Sequence, residues 1–358
     1  MKLKAFLSSV LAISLTAGLL SACGSKPASS ASSSQQQPSS ASQSAAEGAE
    51  PVLLQIAYEN NPGEPIDLAC NEWKKLLEEK SGGSMKVELF PSSQLGSKTD
   101  LIDQVLAGAP VCTIADGAFY AERGVPDFGI VFGPYLFDSW DECWKLTKSD
   151  WYQEQSKKLE DAGLKILASN WVYGERHTLT KKPVHTPDDL KGMKIRVANS
   201  IIFIKGFDVL GATPTPMALG DVYTALQQGT IDGLENPLPV LYNGKFQEVA
   251  KYLVLDGHVK NFTTWTVGTD FFNSLTPEQQ KLLVETAEEA GVKNNDFQAA
   301  AEQEVREKLI ADGVTIYEPT AEEKELFRQA ALKFYEDPEI CGAWTDGLYD
   351  TVNAILKA

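Results

Sequence analysis

Residues 193–236 change their pattern of apolar and polar positions several times, and each change marks an element boundary. The predicted elements are, in order, a strand at 193–197, a helix at 201–210, a strand at 213–217, a helix at 221–228 and a strand that ends before Asn236. Gly229 ends the second helix. This order of strand, helix, strand, helix and strand predicts an α/β lobe.

The same alternation in the first third of the chain predicts a second α/β lobe. Its predicted elements are strands at 53–58, 85–90 and 111–115 and helices at 67–80 and 100–107. Such a lobe has a parallel sheet with right-handed crossovers. Other predicted elements are helices at 140–148, 321–334 and 344–356 and strands at 165–171 and 263–269. The strand at 263–269 is expected to return to the first lobe, so that the crossing strands form a hinge.

These elements predict two domains of similar size. We expect lobe I to comprise approximately 51–173 plus 260–300, and lobe II approximately 174–259 plus 301–358.

One long helix is predicted near the end of the chain. Thr276 is a cap, Pro277 suits the first turn and Gln279 occupies the capping-box position. Helical spacing persists until Gly313 ends it. About 36 residues at about 1.5 Å each give about 54 Å, and a lobe of about 150 residues is about 38 Å wide, so a straight helix would cross both lobes. The alternative is two helices broken at Gly291.

The first 50 residues differ in composition from the rest. Lysines before an apolar run predict a signal peptide over 1–22 rather than a membrane span. Cys23 follows Leu-Ser-Ala, the pattern of a bacterial lipoprotein cleavage site, so a lipid on this cysteine would anchor the protein to the extracytoplasmic face of the cell membrane. The alternative is an ordinary secretory site. Residues 23–50, rich in Ser, Ala, Gln and Pro, would form a disordered tether.

The chain is acidic, with a formal net charge of -17 at pH 7. This charge argues against nucleic acid as a partner, but not against a small anion held by local arginines. The cysteines form no C-x-x-C pair, and H-E-x-x-H, G-x-S-x-G, G-x-G and Walker A motifs are absent from the sequence. We therefore predict that the protein binds no metal and no cofactor and that it is not an enzyme. Catalytic groups assembled from distant positions remain an alternative.

The predicted strands place two polar residues at one edge of the sheet. Arg196 lies near the carboxyl end of a strand, and Asn236 lies just beyond another. Ligands of open α/β sheets bind outside these ends. A guanidinium there can grip a carboxylate with two hydrogen bonds, although a salt bridge between domains would also use an arginine.

Three segments resemble motifs of the TRAP-transporter solute-binding proteins of the C4-dicarboxylate-binding type. They are Gly-Met-Lys-Ile-Arg-Val at 192–197, Gly-Ala-Thr-Pro-Thr-Pro-Met at 211–217 and Asp-Gly-Leu-Glu-Asn-Pro at 232–237. The resemblance extends from residue 53 to about residue 313. It implies a two-lobed, periplasmic-binding-protein-like α/β fold with a central cleft, crossing hinge strands and a long helix that bridges the lobes.

The resemblance also implies ligand-binding residues. The family's strand arginine, which anchors the carboxylate of the ligand, matches Arg196. Asn236 and Asn199 match two other ligand positions, although Leu234 stands where Gln is common. Arg176 matches a second arginine that some members use on the ligand, and its alternative role is an ion pair at the hinge.

Other positions bear on the choice of ligand. Leu219 stands where Phe is frequent, Asp116 lies where some sialic-acid receptors carry Glu, and Phe119 replaces their nearby arginine. Trp171 and Tyr173 are candidates for the cleft wall or for the core. These differences argue against sialic acid and leave a dicarboxylate, a sugar acid or a keto acid.

The implied function is delivery of this small organic acid to the permease subunits of a TRAP transporter. The alternative is a sensory module for a kinase or chemoreceptor.

Overall fold

The computed structural model describes residues 50–358. The predicted signal peptide, Cys23 and the predicted tether as far as residue 49 lie outside the described residues. Within the described part, no helix is both long enough and apolar enough to cross a membrane.

One mixed sheet runs through the whole described part of the chain. Its nine strands are β1 (Val52–Ala57), β2 (Met85–Phe90), β3 (Val111–Ala115), β4 (Leu164–Thr180), β5 (Lys194–Val197), β6 (Thr213–Pro216), β7 (Gly233–Asn236), β8 (Tyr252–Gly268) and β9 (Thr315–Tyr317). They lie in the order β2-β1-β3-β8-β4-β7-β5-β6, and β9 pairs with β8. The parallel groups β2-β1-β3 and β7-β5-β6 thus form the two lobes, and β4 and β8 join them.

Helices cover the sheet. They are α1 (Pro65–Lys80), α2 (Lys98–Leu106), α3 (Gly117–Ala121), α4 (Trp140–Thr147), α5 (Asp150–Asp161), α6 (Ile201–Asp208), α7 (Val222–Gln227), α8 (Leu238–Asn243), α9 (Thr269–Ser274), α10 (Pro277–Ala311), α11 (Ala321–Ala331), α12 (Pro338–Cys341) and α13 (Leu348–Lys357). Short 3-10 segments are Pro126–Phe132, Pro187–Leu190, Leu219–Asp221, Phe246–Glu248 and Leu332–Glu336. Most predicted elements agree within three residues, whereas α3, α5, α8, α9, α12 and β9 were not predicted.

The crossing strands are much longer than the sequence predicted. β4 and β8 each span 17 residues and pair antiparallel from Leu164 opposite Gly268 to Thr180 opposite Tyr252. The predicted strands covered only the half that lies in lobe I. The half in lobe II carries charged residues that are buried against one another, so its hydrophobic pattern is interrupted. Four register shifts lie between Ile166 and Thr178, where the strands pass from one lobe to the other.

Helix α10 confirms the prediction of one continuous helix that bridges the lobes. It has 35 residues, and its capping box is formed by Thr276 and Gln279. α10 packs against α1 of lobe I and α8 of lobe II. Gly291 does not break the helix; a Cβ atom there would collide with Asn170 and Trp171 of β4. The glycine therefore permits a close approach of helix and strand.

A cluster of tryptophans holds lobe I against α10. Trp73 of α1, Trp171 of β4 and Trp265 of β8 are fully buried, with ring centroids 5.2 to 6.1 Å apart. Trp73 donates to Thr286 Oγ1 at 3.0 Å, and Trp171 donates to the carbonyl oxygen of Ala287 at 2.9 Å. Trp171 thus belongs to the core and not to the cleft wall.

The lobe boundaries remain a prediction. α11 contacts β8 and the 3-10 segment Pro187–Leu190, whereas α13 packs against α4, which lies within the predicted lobe I. The C-terminal segment therefore touches both parts of the molecule.

Candidate functional site

Arg196 is a buried cation with no carboxylate partner among the described residues. It lies in β5, is 3% exposed, and donates from Nε and Nη2 to the carbonyl oxygen of Met217 at 3.0 and 2.8 Å. Among residues 50–358 no carboxylate oxygen lies within 4.0 Å of its guanidinium, so the interdomain salt bridge that the sequence left open is not formed there. Burial lowers the pKa of Arg196. An unpaired buried charge is costly, and an incoming carboxylate would relieve that cost.

Asn236 lies on the same face of the sheet as Arg196. In the parallel pairing of β5 with β7, Arg196 is opposite Leu234, and Asn236 is two residues further along β7. The side chain is 2% exposed, and within the described part of the chain it makes no hydrogen bond. It can therefore offer both a donor and an acceptor to a ligand beside the guanidinium.

Arg176 is committed to a buried ion pair. Its Nε and Nη2 donate to the two carboxylate oxygens of Glu235 at 2.5 and 2.8 Å, and Nη1 donates to Asn261 Oδ1 at 3.0 Å. Both side chains are nearly inaccessible. This geometry supports the alternative role at the crossing strands, while a ligand contact of Arg176 stays a prediction.

A histidine that the sequence did not single out completes this network. His258 Nε2 lies 3.2 Å from Glu235 Oε2, and its Nδ1 lies 3.1 Å from Asp256 Oδ2. Asp256 also accepts from the backbone and hydroxyl of Thr178 at 3.1 and 2.7 Å. Burial lowers the pKa of His258, but Asp256 and Glu235 outweigh burial and raise it to about 9. The imidazole is therefore charged at neutral pH.

We expect the stability of the protein to fall as pH rises towards 9. His258 has a raised pKa in the folded state, so its contribution is fully present below about 6.5 and is lost as pH passes about 9. A shift of this size corresponds to about 3 kcal/mol. Urea unfolding from pH 6 to pH 10 measures the loss, with His258→Gln as the matched control. An equal decline in the variant would contradict the assignment.

Four other residues were predicted to contact the ligand, and the structure places them in different surroundings: Leu219, Phe119, Asp116 and Asn199. Leu219 is 8% exposed and lines a depression of about 400 Å³ between the lobes, together with Glu59. Phe119 of α3 packs against Phe203 of α6, with ring centroids 6.1 Å apart. Asp116 caps α3 by accepting from the backbone N–H of Ala118 at 3.1 Å. Asn199 is exposed in the turn after β5, and its contact with a ligand stays a prediction.

Lobe I contributes an ion pair to the candidate site, that of Glu59 with Lys98, which was not predicted from the sequence. Glu59 follows β1, Lys98 begins α2, and Lys98 Nζ lies 3.0 Å from Glu59 Oε1. Lys98 Nζ also lies 5.0 and 5.8 Å from the ring centroids of Phe119 and Tyr173. Tyr173 is only 4% exposed, so its place in the cleft wall stays a prediction. Burial raises the pKa of Glu59, but Lys98 and then Arg196 lower it by more, and the carboxylate is charged. Nothing local in the sequence links two residues this far apart.

Contacts between α3 and α6 close the cleft. Ser200 donates to the carbonyl oxygen of Ala118 at 2.9 Å, and the backbone N–H of Ile201 donates to Glu122 Oε1 at 2.6 Å. The rings of Phe132 and Phe203 pack at 4.3 Å between centroids. The described structure is thus a closed conformation, in which Arg196 and Asn236 are shielded from solvent.

The chain matches one protein-family model over residues 56–339, that of the bacterial extracellular solute-binding proteins, family 7. It is 34% identical over 264 residues, 74% of this chain and 80% of the relative, to the 2,3-diketo-L-gulonate-binding periplasmic protein of Escherichia coli (strain K12).

Two solved structures of TRAP periplasmic solute-binding proteins are similar to it. One, from Ochrobacterium anthropi with bound L-fuconate, is 43% identical with a TM-score of 0.81, covering 86% of this chain and 99% of that one. The other, from Actinobacillus succinogenes 130z with bound L-galactonate, is 42% identical with the same TM-score and coverage. The chain is therefore a TRAP-transporter solute-binding protein and belongs to the bacterial extracellular solute-binding proteins of family 7.

Proposed function

We propose that this protein captures a small organic acid between its two lobes and delivers it to the membrane subunits of a TRAP transporter. The observation that carries the proposal is Arg196, a buried guanidinium with no carboxylate partner among the described residues. The ligand's carboxylate would supply that partner, and Asn236 would add an uncharged hydrogen bond. The protein would do no chemistry on the ligand.

The similar proteins support a sugar acid as the ligand. Their names give L-fuconate, L-galactonate and 2,3-diketo-L-gulonate, each of which has one carboxylate and several oxygen substituents. The polar groups around Arg196 suit such a molecule, because they offer donors and acceptors beyond those that a carboxylate needs.

Calorimetry with L-galactonate and L-fuconate tests the binding, and small-angle scattering tests the closure. We expect saturable binding and a smaller radius of gyration with ligand, because the lobes close around it. Binding without any change of the scattering profile would contradict closure. Failure of the folded protein to bind any organic acid, or turnover of the ligand, would contradict the receptor function.

Attachment to the membrane is part of the proposal. Cys23, in Leu-Ser-Ala-Cys, would carry the lipid. We expect Cys23→Ala to abolish lipidation and to leave the protein either uncleaved at this site or released from the membrane. Fractionation and mass spectrometry measure the outcome. A processed Cys23→Ala protein that still fractionates with membranes as a detergent-extracted species would contradict the anchor.

A further inference from the structure

We propose that the ion pair of Glu59 and Lys98 makes this site selective for acids with one carboxylate and several hydroxyl groups, and that it rejects a second carboxylate. The inference rests on the proposed function, in which Arg196 holds the carboxylate of the ligand. It assigns the opposite wall of the cleft to recognition of the rest of the molecule.

The first step is a count of charges around the site. Arg176 is paired with Glu235 at 2.5 Å, and Lys98 is paired with Glu59 at 3.0 Å. The buried carboxylate of Asp116 also interacts electrostatically with Lys98 and Arg176. Within the described part of the chain, Arg196 is the cation of this cluster that lacks a carboxylate partner. One ligand carboxylate therefore satisfies the available positive charge. A second carboxylate beside Glu59 would find no unpaired cation within this buried cluster of described residues.

The second step is the position of the pair. Glu59 and Lys98 belong to lobe I, whereas Arg196 belongs to lobe II, so the two groups face each other across the cleft. Arg196 is near enough to Glu59 to lower the pKa of this carboxylate, after the larger effect of Lys98. In this proposal an acid held by Arg196 extends towards Glu59, so that a negative group at its far end would meet a like charge.

The third step is the chemistry that the pair offers. Glu59 Oε2 is a free acceptor among the described residues, and the ammonium of Lys98 has three hydrogens of which the Glu59 contact uses one. Phe119 and Tyr173 hold this ammonium between aromatic rings and limit its movement. Neighbouring hydroxyl groups can donate to the carboxylate and accept from the ammonium at the same time. A carboxylate on the ligand can only accept a hydrogen bond from the ammonium.

The fourth step is space. Glu59 and Leu219 line the depression of about 400 Å³ between the lobes, which gives room for a chain that continues past the ion pair. Leu219 supplies an apolar wall there, and the depression is also lined by Lys245 and Glu248, one cation and one carboxylate that are both exposed to solvent.

A pair of matched probes tests the inference: L-galactonate and galactarate, which differ only in a terminal CH₂OH or carboxylate group. We expect calorimetry on the wild-type protein to give about thirtyfold tighter binding of L-galactonate, the effect of one like-charge contact. Glu59→Gln keeps the size of the side chain and one acceptor but removes the charge. The ratio of the affinities for L-galactonate and galactarate should therefore fall about tenfold. Lys98→Met leaves Glu59 uncompensated, so it should weaken galactarate more than L-galactonate.

The matched control is Glu289→Gln, which removes the same charge from an exposed Lys–Glu pair, that of Lys80 with Glu289. It should leave the preference unchanged. Equal affinity of the wild type for the two probes, or an unchanged preference in folded Glu59→Gln, would overturn the selectivity and leave the role of Arg196 intact. A folded wild type that binds neither probe would count against the proposed function and this inference together.

Discussion

Arg196→Ala should reduce the affinity for the acid by roughly thirtyfold to several-thousandfold, equivalent to about 2–5 kcal/mol. The reason is the loss of a charge-assisted contact in a desolvated cleft, where no other described cation is free to replace it. Arg196→Lys should lie between the wild type and Arg196→Ala, because a lysine keeps the charge but not the planar fork. Asn236→Ala should cost less, about 1–3 kcal/mol. Calorimetry with L-galactonate measures all three.

The control for this series is Lys157→Ala, which removes an exposed cation whose partner, Asp161, lies one turn further along α5. It should bind as the wild type does. Arg196→Ala should still fold, because its two hydrogen bonds to Met217 are a small part of the fold. Affinity near that of the wild type in folded Arg196→Ala would refute the assignment of the carboxylate anchor.

Arg176→Met should destabilise the protein by about 3–5 kcal/mol, because it leaves Glu235 buried without its main cation. The double variant Arg176→Met with Glu235→Gln should recover part of this loss, since no uncompensated carboxylate remains. Urea unfolding measures the free energies, and the pair forms a double-mutant cycle.

The same variants decide between the two roles of Arg176. If the ion pair is its role, stability falls sharply, and ligand affinity follows only as far as the hinge is disturbed. A folded Arg176→Met protein with normal stability and strongly reduced affinity would instead establish Arg176 as a ligand-binding residue.

Much of this architecture could be predicted because local patterns determine it. The strand at 85–90, the strand at 111–115 and the capping box at Thr276 follow from periodicity and from residues a few positions apart. The long crossing strands could not be predicted in full. Their lobe II halves contain Arg176 and Asp256, which are buried only because distant residues pair with them.

In the candidate site, too, some residues could be predicted from local patterns and others could not. Arg196 and Asn236 could be named because the ends of neighbouring parallel strands meet at one edge. The pairing of Glu59 with Lys98 joins two elements that are distant in the chain, so no local sequence pattern predicts it. Asn199 was expected from the resemblance to the family; it lies in the turn after β5 and is exposed, and its contact with the ligand stays a prediction.

The contacts of Ser200 and Ile201 with α3 have a consequence for how affinity can evolve. In an equilibrium between open and closed conformations, the measured affinity is the affinity of the closed form multiplied by its population. Hydrogen bonds that form only on closure, such as that of Ile201 with Glu122, raise this population without touching the ligand. A change at Glu122 should therefore scale the affinity for every ligand by one factor, whereas a change at Glu59 alters the ratio between ligands. Substitutions can thus change the overall affinity of this protein and its selectivity between ligands independently of each other.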